Sequence, residues 1–282
     1  MSKHRFDIAI TSSHALLGMF LMVMSFTLKA DVTSYWNHSN EQSTASVDHS
    51  KWQEMLNQYL VTDTPSKVHL FNYKAVTKTD HQSLKKYLTS LSEQDPKALT
   101  KAEQKAYWIN LYNALTVDLI LENYPVKSIT KLGESFFSFG PWDDEAITID
   151  QQSLTLNDIE HKILRPIWKD PRIHYAVNCA SFSCPNLAET AYTAENTEAL
   201  LEEGAELYVN HPRGVEEKGG EWQVSKIYKW YQEDFGGNEN ALYSHLIQYA
   251  APELKARLMD AKAQKADIDY HYDWSLNEWT GN

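Results

Sequence analysis

The sequence predicts an α+β fold, a helix-rich single domain around a small and mostly antiparallel sheet. Three observations predict it. Apolar residues at helical spacing recur along the chain, and the alternating patterns typical of strands are short. The 282 residues are 43% hydrophobic, which is enough to bury a large core, and nine tryptophans with sixteen tyrosines are too many for a disordered chain.

The first half of the domain is predicted to be helical. Two short helices are indicated by apolar residues at helical spacing over residues 52–60 and 84–91. A third helix begins at the capping box 100–103 and ends at Tyr124-Pro125. Residues 106–120 are apolar nearly all round this helix, so we expect it in the centre of the fold.

The second half is predicted to mix strands with helices. A hairpin is indicated over residues 146–155, and strict alternation over 267–274 indicates a half-buried last strand. A central strand over 172–178 would end at Cys179, and the expected sheet combines it with the hairpin and the last strand. Further helices are predicted over residues 156–168, 193–209 and 225–235.

Residues 1–30 are typical of an export signal. Lys3 and Arg5 precede an apolar run over 15–28, and Ala30 offers a small residue for cleavage. The competing interpretation is an uncleaved anchor over 8–28, but polar residues interrupt it and leave fewer than the ~20 apolar residues that a span needs. We therefore expect a signal peptide over 1–30, an exported, periplasmic protein and no stable membrane span after cleavage.

The mature chain is predicted to start with a leader. Residues 37–50 are polar and nearly free of large apolar side chains, which indicates a flexible polar leader over 31–50. No second break of this length follows, so residues 51–282 are predicted to form a single globular domain.

The formal net charge of −12 bears on the partners. Binding to nucleic acid requires a basic surface, because contacts with phosphate dominate its affinity. We therefore expect no nucleic-acid partner, and expect instead an unidentified small molecule, a peptide or a substrate in the cell envelope. The sequence leaves the oligomeric state open.

The only two cysteines, Cys179 and Cys184, lie in the loop expected after the central strand. Three interpretations compete: a structural disulfide, two inert thiols, or a nucleophilic thiolate with an acid–base partner. Export into an oxidising compartment favours the disulfide. The spacing differs from the redox Cys-x-x-Cys motif, so a thioredoxin-type mechanism gains no support from it.

Either cysteine is a candidate nucleophile. Proline is favoured at the first position of a helix, so Pro185 predicts a helix whose N-terminus would stabilise a Cys184 thiolate. Cys179 would instead present its sulfur on an exposed turn, with backbone amides nearby for an oxyanion. Cys184 ranks slightly ahead, and the sequence leaves the choice open.

A thiol nucleophile needs a base, and His161 and His174 are the candidates. His161 lies on the predicted helix before the central strand. Its neighbour Glu160 points about 100° away around that helix, so Glu160 would act as a separate acid or orient the base from another angle. His174 would point away from Cys179 on a strand, but it could still approach Cys184.

The amides of Asn110 and Asn113 on the central helix need partners, because burial of an unpaired amide is costly. Their usual role is to bind the backbone of a neighbouring loop. The functional alternative is that Asn113 orients an imidazole or holds a substrate carbonyl.

No cofactor and no metal is expected. The zinc-protease, P-loop and dinucleotide-binding motifs are missing from the sequence. Acidic residues and a histidine alternate along residues 267–273 and could suggest a metal cluster, but a solvated strand face explains them better.

Several long motifs in a fixed order resemble the Domain of Unknown Function 547 family. They are AYWINLYNAL over 106–115, LTLNDIEHKILR over 154–165, DPRIHYAVNCASFSCP over 170–185 and SKIYKWYQEDF over 225–235. The resemblance extends over essentially all of the chain from Trp52, including YDWSL over 272–276.

The resemblance implies an exported bacterial protein and a fold related to papain-like cysteine peptidases and transglutaminases. It also makes Cys179, Cys184, Glu160, His161 and His174 the candidate site, because they occupy the family's motif positions. If His161 is the base, it precedes the cysteines in the chain, which is the reverse of the order in papain.

Three functional hypotheses follow. The first is a thiol-dependent hydrolase or acyltransferase, in which Cys184 or Cys179 attacks a peptide, amide or thioester. His161 or His174 would accept the proton, and Glu160 or Asn113 would orient this base. The second is a non-catalytic binding domain in which a disulfide fixes a recognition loop. The third is a thiol redox protein, which depends only on the proximity of the cysteines.

Overall fold

The structure is a computed structural model, and it describes residues 31–133 and 139–281. The predicted signal peptide over residues 1–30 lies outside the described residues. The α-helices are α1 (Val32–Trp36), α2 (Ser50–Tyr59), α3 (Lys78–Ser92), α4 (Lys101–Glu122), α5 (Arg165–Trp168), α6 (Thr197–Val209), α7 (Ile227–Trp230), α8 (Glu239–Tyr249) and α9 (Pro252–Gln264). The strands are β1 (Leu60–Val61), β2 (Leu70–Phe71), β3 (Glu145–Ile149), β4 (Gln152–Thr155), β5 (Val215–Lys218), β6 (Glu221–Ser225) and β7 (Ile268–His271).

Helix α4 lies at the centre of the fold, as its apolar pattern predicts. The Thr100 hydroxyl accepts a hydrogen bond from the Glu103 amide at 3.2 Å and caps the first turn. Every residue from Glu103 to Val117 is buried. Lys105 is among them, and its ammonium is compensated by Asp170 at 3.1 Å and Glu198 at 3.0 Å.

Two hydrophobic cores divide the described residues. The larger surrounds α4 and includes Ile173, Ala176 and Val177. The smaller packs α6, α8 and α9 against β5, β6 and β7, and it includes Tyr175. Because neighbouring residues of the 173–177 segment contribute to different cores, this segment runs along the boundary between them.

The α+β class is confirmed, but the predicted composition of the sheet is wrong. The hairpin forms as β3 and β4 and is a sheet of its own. The last strand forms as β7 but is shorter than predicted, since it ends at His271. It pairs in parallel with β6, which is antiparallel to β5. The strands β1 and β2 form a further antiparallel pair. Short antiparallel pairings therefore predominate, and the three-stranded sheet has one parallel edge.

The central strand predicted over 172–178 is absent from this described segment, which contains the 3₁₀-helix Pro171–Tyr175 instead. The Asp170 carboxylate caps its first turn by accepting the Arg172 amide at 3.0 Å. Pro171 starts the helix because its fixed φ suits the first helical position. A capped Asp-Pro start thus overrides the β-branched and aromatic residues that favour a strand.

The helix predicted over 156–168 is confirmed as helical, with an unexpected first part. Residues Asp158–Leu164 form a π-helix that continues into α5. The Arg165 amide donates to the Glu160 carbonyl, five residues back, and Pro166 has no amide hydrogen to give. Wide turns of this kind are frequent at functional sites, and this one carries Glu160 and His161.

Two further helices start later or end sooner than predicted. The helix predicted from Thr193 begins at Thr197, because Thr193 and Asn196 exchange hydrogen bonds and form a separate turn. The helix predicted over 225–235 is limited to α7, and turns follow it up to Gly236, which has a φ of 96°.

Residues 31–50 pack against the domain, so the prediction of a flexible leader is wrong. Trp36 is 1% exposed, and its ring lies 5.2 Å from that of Trp108 on α4. The Val47 amide donates to the Glu103 carboxylate at 2.7 Å. Aromatic packing and hydrogen bonds to the domain therefore fix a segment whose composition is polar.

The helices of the described residues include none with the length and hydropathy to cross a lipid bilayer.

Candidate functional site

A cavity of about 600 Å³ brings together four of the six predicted site residues. Cys179, Cys184, His174 and Glu160 all line it. Residues from both cores also contribute to its wall, among them Tyr112 on α4 and Ile227 on α7. The cavity is thus large enough for a small substrate and contains every kind of group that thiol catalysis needs.

Asn113 fixes the backbone that leads to the cysteines. Its amide nitrogen donates to the Ala176 carbonyl at 2.9 Å, and its oxygen accepts the Asn178 amide at 2.8 Å. Both polar ends of its side chain are therefore bound to backbone. Asn113 does not line the cavity and does not orient an imidazole, so the structural alternative for this residue is the correct one.

The side chain of Asn178 makes hydrogen bonds to both ends of the loop from Asn178 to Pro185. The Asn178 oxygen accepts the Ala180 amide at 2.8 Å, and its nitrogen donates to the Pro185 carbonyl at 2.6 Å. Ala180 has a φ of 55°, a conformation that is costly for a residue with a Cβ. The surrounding hydrogen bonds maintain this turn, which brings the two cysteines together.

The two thiols are free and lie next to each other. The Cys179 amide donates to the Cys184 sulfur at 2.8 Å. Cys184 lies in a turn, with its own amide bound to the Ser181 carbonyl at 3.0 Å, so the helix predicted to begin at Pro185 is absent from this described segment. The Cys184 sulfur therefore accepts a hydrogen bond from one backbone amide, that of Cys179, and not from the N-terminus of a helix.

The surroundings of the two thiols shift their pKa values in opposite directions. Burial opposes ionisation of Cys184, but hydrogen bonds from the thiol and the backbone amide of Cys179 outweigh it and lower the Cys184 pKa. Burial and the neighbouring Cys184 raise the pKa of Cys179 well above its usual value. The Cys179 sulfur also lies 3.2 Å from the Tyr272 hydroxyl and 3.1 Å from that of Ser181. Cys184 is therefore the better thiolate.

His174 is held on the wall of the cavity by a carboxylate. Its Nε2 atom lies 2.6 Å from Oδ2 of Asp234, and its ring stacks on Tyr231 at 4.2 Å. Arg165 Nε donates to the same oxygen at 2.5 Å. Burial opposes ionisation of Asp234, but the hydrogen bonds from His174 and Arg165 hold its pKa well below the usual range. Asp234 therefore stays charged and fixes the imidazole.

Glu160 lies between the two candidate bases. Its Oε1 atom is 3.7 Å from Nδ1 of His174 and 3.7 Å from Nδ1 of His161. The side chain is 7% exposed and lines the cavity. Because Asp234 occupies the opposite nitrogen of His174, the Nδ1 atom is the one that faces Glu160.

His161 is on the other side of Glu160 and does not line this cavity. Its Nδ1 atom accepts a hydrogen bond from Arg165 at 3.0 Å. Burial lowers the His161 pKa, and the adjacent guanidinium adds to this effect. Of the two predicted bases, the structure thus brings only His174 to the cavity that contains the thiols.

Residues 96–209 match the family model described as Protein of unknown function, DUF547. Over these residues the chain is similar to the DUF547 family. The matched segment includes α4, the π-helix, the cysteine loop and α6. No curated protein and no solved structure matches the chain.

The candidate site extends beyond the matched segment. Asp234 and Tyr231 follow α7, and Tyr272 follows β7. These residues were not predicted as site residues, although Tyr231 and Asp234 belong to the motif over 225–235 and Tyr272 belongs to the alternating pattern over 267–274. Their position inside or next to the long motifs was the available signal, but only the fold brings Asp234 and Tyr231 to His174 and Tyr272 to Cys179.

A buried cation also supports the cysteine loop. Arg213 is 7% exposed and donates from Nη1 to the Phe182 carbonyl at 3.1 Å. Its Nη2 atom donates to the Asn186 side chain, and its buried Nε has no partner among the described residues. Burial lowers its pKa, while Tyr208 and Cys184 act in the opposite direction. The positive charge near Cys184 favours a thiolate there.

Groups of three or more histidine, cysteine or carboxylate side chains suited to a metal ion are absent from residues 31–133 and 139–281.

Proposed function

We propose that this protein is a thiol-dependent hydrolase or acyltransferase that acts on a peptide, an amide or a thioester in the cell envelope. One observation carries the proposal: Cys179, Cys184, His174 and Glu160 line one cavity of about 600 Å³, and Asp234 holds the imidazole from behind. A nucleophile, a base and an orienting group are the parts that such chemistry requires.

Cys184 is the nucleophile of the proposal. Its thiolate attacks the substrate carbonyl, a bond forms between sulfur and carbon, and the bond from that carbon to the leaving group breaks. The amide of Cys179 at 2.8 Å stabilises the thiolate before the attack. Water then hydrolyses the resulting thioester, or an acceptor nucleophile takes the acyl group, and the thiol is restored.

His174 carries the proton in this scheme. Asp234 accepts the hydrogen bond from Nε2 and so favours the tautomer in which Nδ1 is the free acceptor. The Nδ1 atom takes the proton of the attacking thiol and returns it to the leaving group. Glu160, 3.7 Å from this nitrogen, stabilises the imidazolium that forms in between.

The experiment is to trap the acyl intermediate. The protein is incubated with activated thioesters and p-nitrophenyl esters, quenched in acid, digested and analysed by mass spectrometry. We expect one acyl group on the peptide that contains Cys184. Cys184→Ala should abolish it. Cys179→Ala should still form it, though more slowly, because this variant keeps the backbone amide that binds the Cys184 sulfur and loses only the thiol hydrogen bond.

Two results would overturn the proposal. One is turnover of an identified substrate at an unchanged rate in the Cys179→Ala/Cys184→Ala double variant. The other is an acyl group on the two cysteines that forms no faster than on a free thiol in solution.

The proposed location depends on residues 1–30, whose pattern is that of a cleaved export signal. Sequencing of the N-terminus of the protein recovered from a periplasmic extract should give Asp31 as the first residue. Recovery of the uncleaved chain from the cytoplasm would contradict this part of the proposal.

A non-catalytic binding domain is the second candidate, and the exposed aromatic rings at the cavity favour it. Trp230 is 44% exposed and Phe139 is 66% exposed, although both line the cavity. Large exposed rings often mark a binding surface. In this case a disulfide between Cys179 and Cys184 would fix the loop, and the native protein would contain no reactive thiol.

A further inference from the structure

One wall of the cavity consists of aromatic rings that touch one another. The rings of Trp142 and Trp274 are 5.6 Å apart, Trp274 is 5.5 Å from Trp230, and Trp230 is 4.8 Å from Tyr272. All four line the cavity, and Trp230 remains 44% exposed. A continuous and partly exposed ring surface of this kind is suited to a ligand that seats on aromatic faces.

The same cavity is acidic. Its described lining includes the carboxylates of Asp143, Asp144 and Glu160 and contains no lysine or arginine. The Asn157 side chain donates to Asp143 at 2.7 Å and so holds one of these carboxylates in place. With a net charge of −12 on the whole chain, the potential in this concave space attracts cations.

We propose that this wall binds a positively charged ammonium group of the substrate, so that the enzyme acts on amine-bearing or lysine-like acyl compounds or acceptors. The inference rests on the proposed function and names its substrate class. Indole and phenol faces attract an ammonium through the negative face of the ring, and nearby carboxylates add direct Coulomb attraction. An anionic substrate would meet repulsion from the same groups.

The ring wall extends to the two thiols. Tyr272, at its inner end, lies 4.5 Å from Trp274 by ring centroids and places its hydroxyl 3.2 Å from the Cys179 sulfur. A substrate whose ammonium group seats against the indoles would therefore place its neighbouring atoms beside the thiols. One contact surface would then both bind the charged group and present the reacting carbonyl to the thiols.

The test compares three unreactive probes of similar size. They are the N-acetyl methylamides of lysine, norleucine and glutamate, titrated by calorimetry into the full chain and into the Cys179→Ala/Cys184→Ala variant. We expect the lysine probe to bind about 10-fold or more tightly than the norleucine probe, and the glutamate probe to bind most weakly. Added salt should weaken only the lysine binding.

Three variants assign the preference to this wall. Trp230→Leu and Asp143→Asn should each reduce the ratio of lysine to norleucine affinity about threefold or more. Asp260→Asn removes a carboxylate from the exposed face of α9 and should leave the ratio unchanged. If the double cysteine variant does not fold, the titrations on the wild-type chain and on Trp230→Leu decide the question.

Equal or tighter binding of norleucine, or no binding of any probe to the wild-type chain, would overturn the inference. The two proposals fail separately. If an acyl group forms on Cys184 but the lysine probe is not preferred, the proposed thiol chemistry stands and this substrate class is excluded. If the lysine probe is preferred but no acyl intermediate forms, the proposed thiol chemistry fails and the protein is a binding domain for cationic ligands.

Discussion

The Nε2 atom of His174 lies 2.6 Å from Oδ2 of Asp234, a residue 60 positions later in the chain. The contact joins the 3₁₀-helix before the cysteine loop to the turn after α7, and Arg165 binds the same carboxylate. Because this contact sets which imidazole nitrogen faces Glu160, the packing that brings Asp234 to His174 also fixes the tautomer needed for the proposed proton transfer.

Asp234→Asn should lower the rate of acyl transfer by a factor of about 10²–10⁴, since the neutral amide neither fixes the tautomer nor stabilises the imidazolium. Single-turnover acylation by a thioester measures this rate. Glu233→Gln, an exposed neighbour, is the matched control and should react at the wild-type rate. A rate for Asp234→Asn within a factor of two of wild type would exclude the orienting role.

His174→Gln and His161→Gln should behave differently. His174 lines the cavity that holds the thiols, and His161 lies outside it against Arg165. We expect acyl transfer to fall about 100-fold or more in His174→Gln and less than about threefold in His161→Gln. Steady-state rates from pH 5 to 9 provide the comparison, and the reverse order would make His161 the base.

Asn113→Ala and Asn110→Ala form a matched pair on α4. Asn113 binds the backbone of Ala176 and Asn178, whereas Asn110 makes the same two kinds of hydrogen bond to Tyr192. Each substitution should lower the free energy of unfolding by about 1–3 kcal/mol, because buried backbone groups lose their partner. Denaturant titration gives these values.

Only Asn113→Ala should also change the rate at which the cysteines are alkylated, because only Asn113 positions the segment that leads to them. Equal alkylation rates in both variants would mean that the cysteine loop holds its shape without Asn113.

Buried histidines should make the protein sensitive to mild acid. Burial lowers the pKa of His49 to about 4 and that of His245 to about 4, whereas the imidazole of an unfolded chain titrates near ~6.5. Above pH 6.5 the two histidines are neutral in both the folded and the unfolded chain, so they do not make the free energy of unfolding depend on pH. As the pH falls from 6.5 to 4, the unfolded state binds protons that the folded state excludes, so stability is lost, by up to about 3 kcal/mol per histidine.

The measurement is the free energy of unfolding as a function of pH in wild type, His49→Gln and the control His38→Gln. The slope between pH 4 and 6.5 should decrease by roughly one proton in His49→Gln. His38 is exposed, and His38→Gln controls for the loss of a histidine as such. An unchanged slope in His49→Gln would contradict the assignment of this acid sensitivity to burial.

Local patterns predicted the elements whose structure depends on local interactions. The capping box and the apolar residues of α4 determine its ends and its burial, and the β3–β4 hairpin and β7 follow from alternation. The segment around His174 could not be predicted in this way. Its apolar pattern favours a strand, but the neighbouring Asp170 caps a helical turn there, and the Asn113 hydrogen bonds, which come from α4, hold that turn in place.

The candidate site was predictable in part for the same reason. The two cysteines, Glu160 and His174 stand out because few residue types perform such chemistry, and they do line one cavity. Asp234 reaches His174 only through the packing of the segment after α7, which no local pattern encodes. Asn113 was assigned two possible roles, and only the direction of its hydrogen bonds separates them.

The most direct test of the central claim is the pH dependence of alkylation at each cysteine of the native protein, followed by mass spectrometry. The account predicts that Cys184 is free as isolated and reacts rapidly well below the ordinary thiol pKa of ~8.5, with Cys179 much slower. A quantitative Cys179–Cys184 disulfide, or two thiols that label slowly with the profile of an unperturbed cysteine, would contradict it and favour the binding domain.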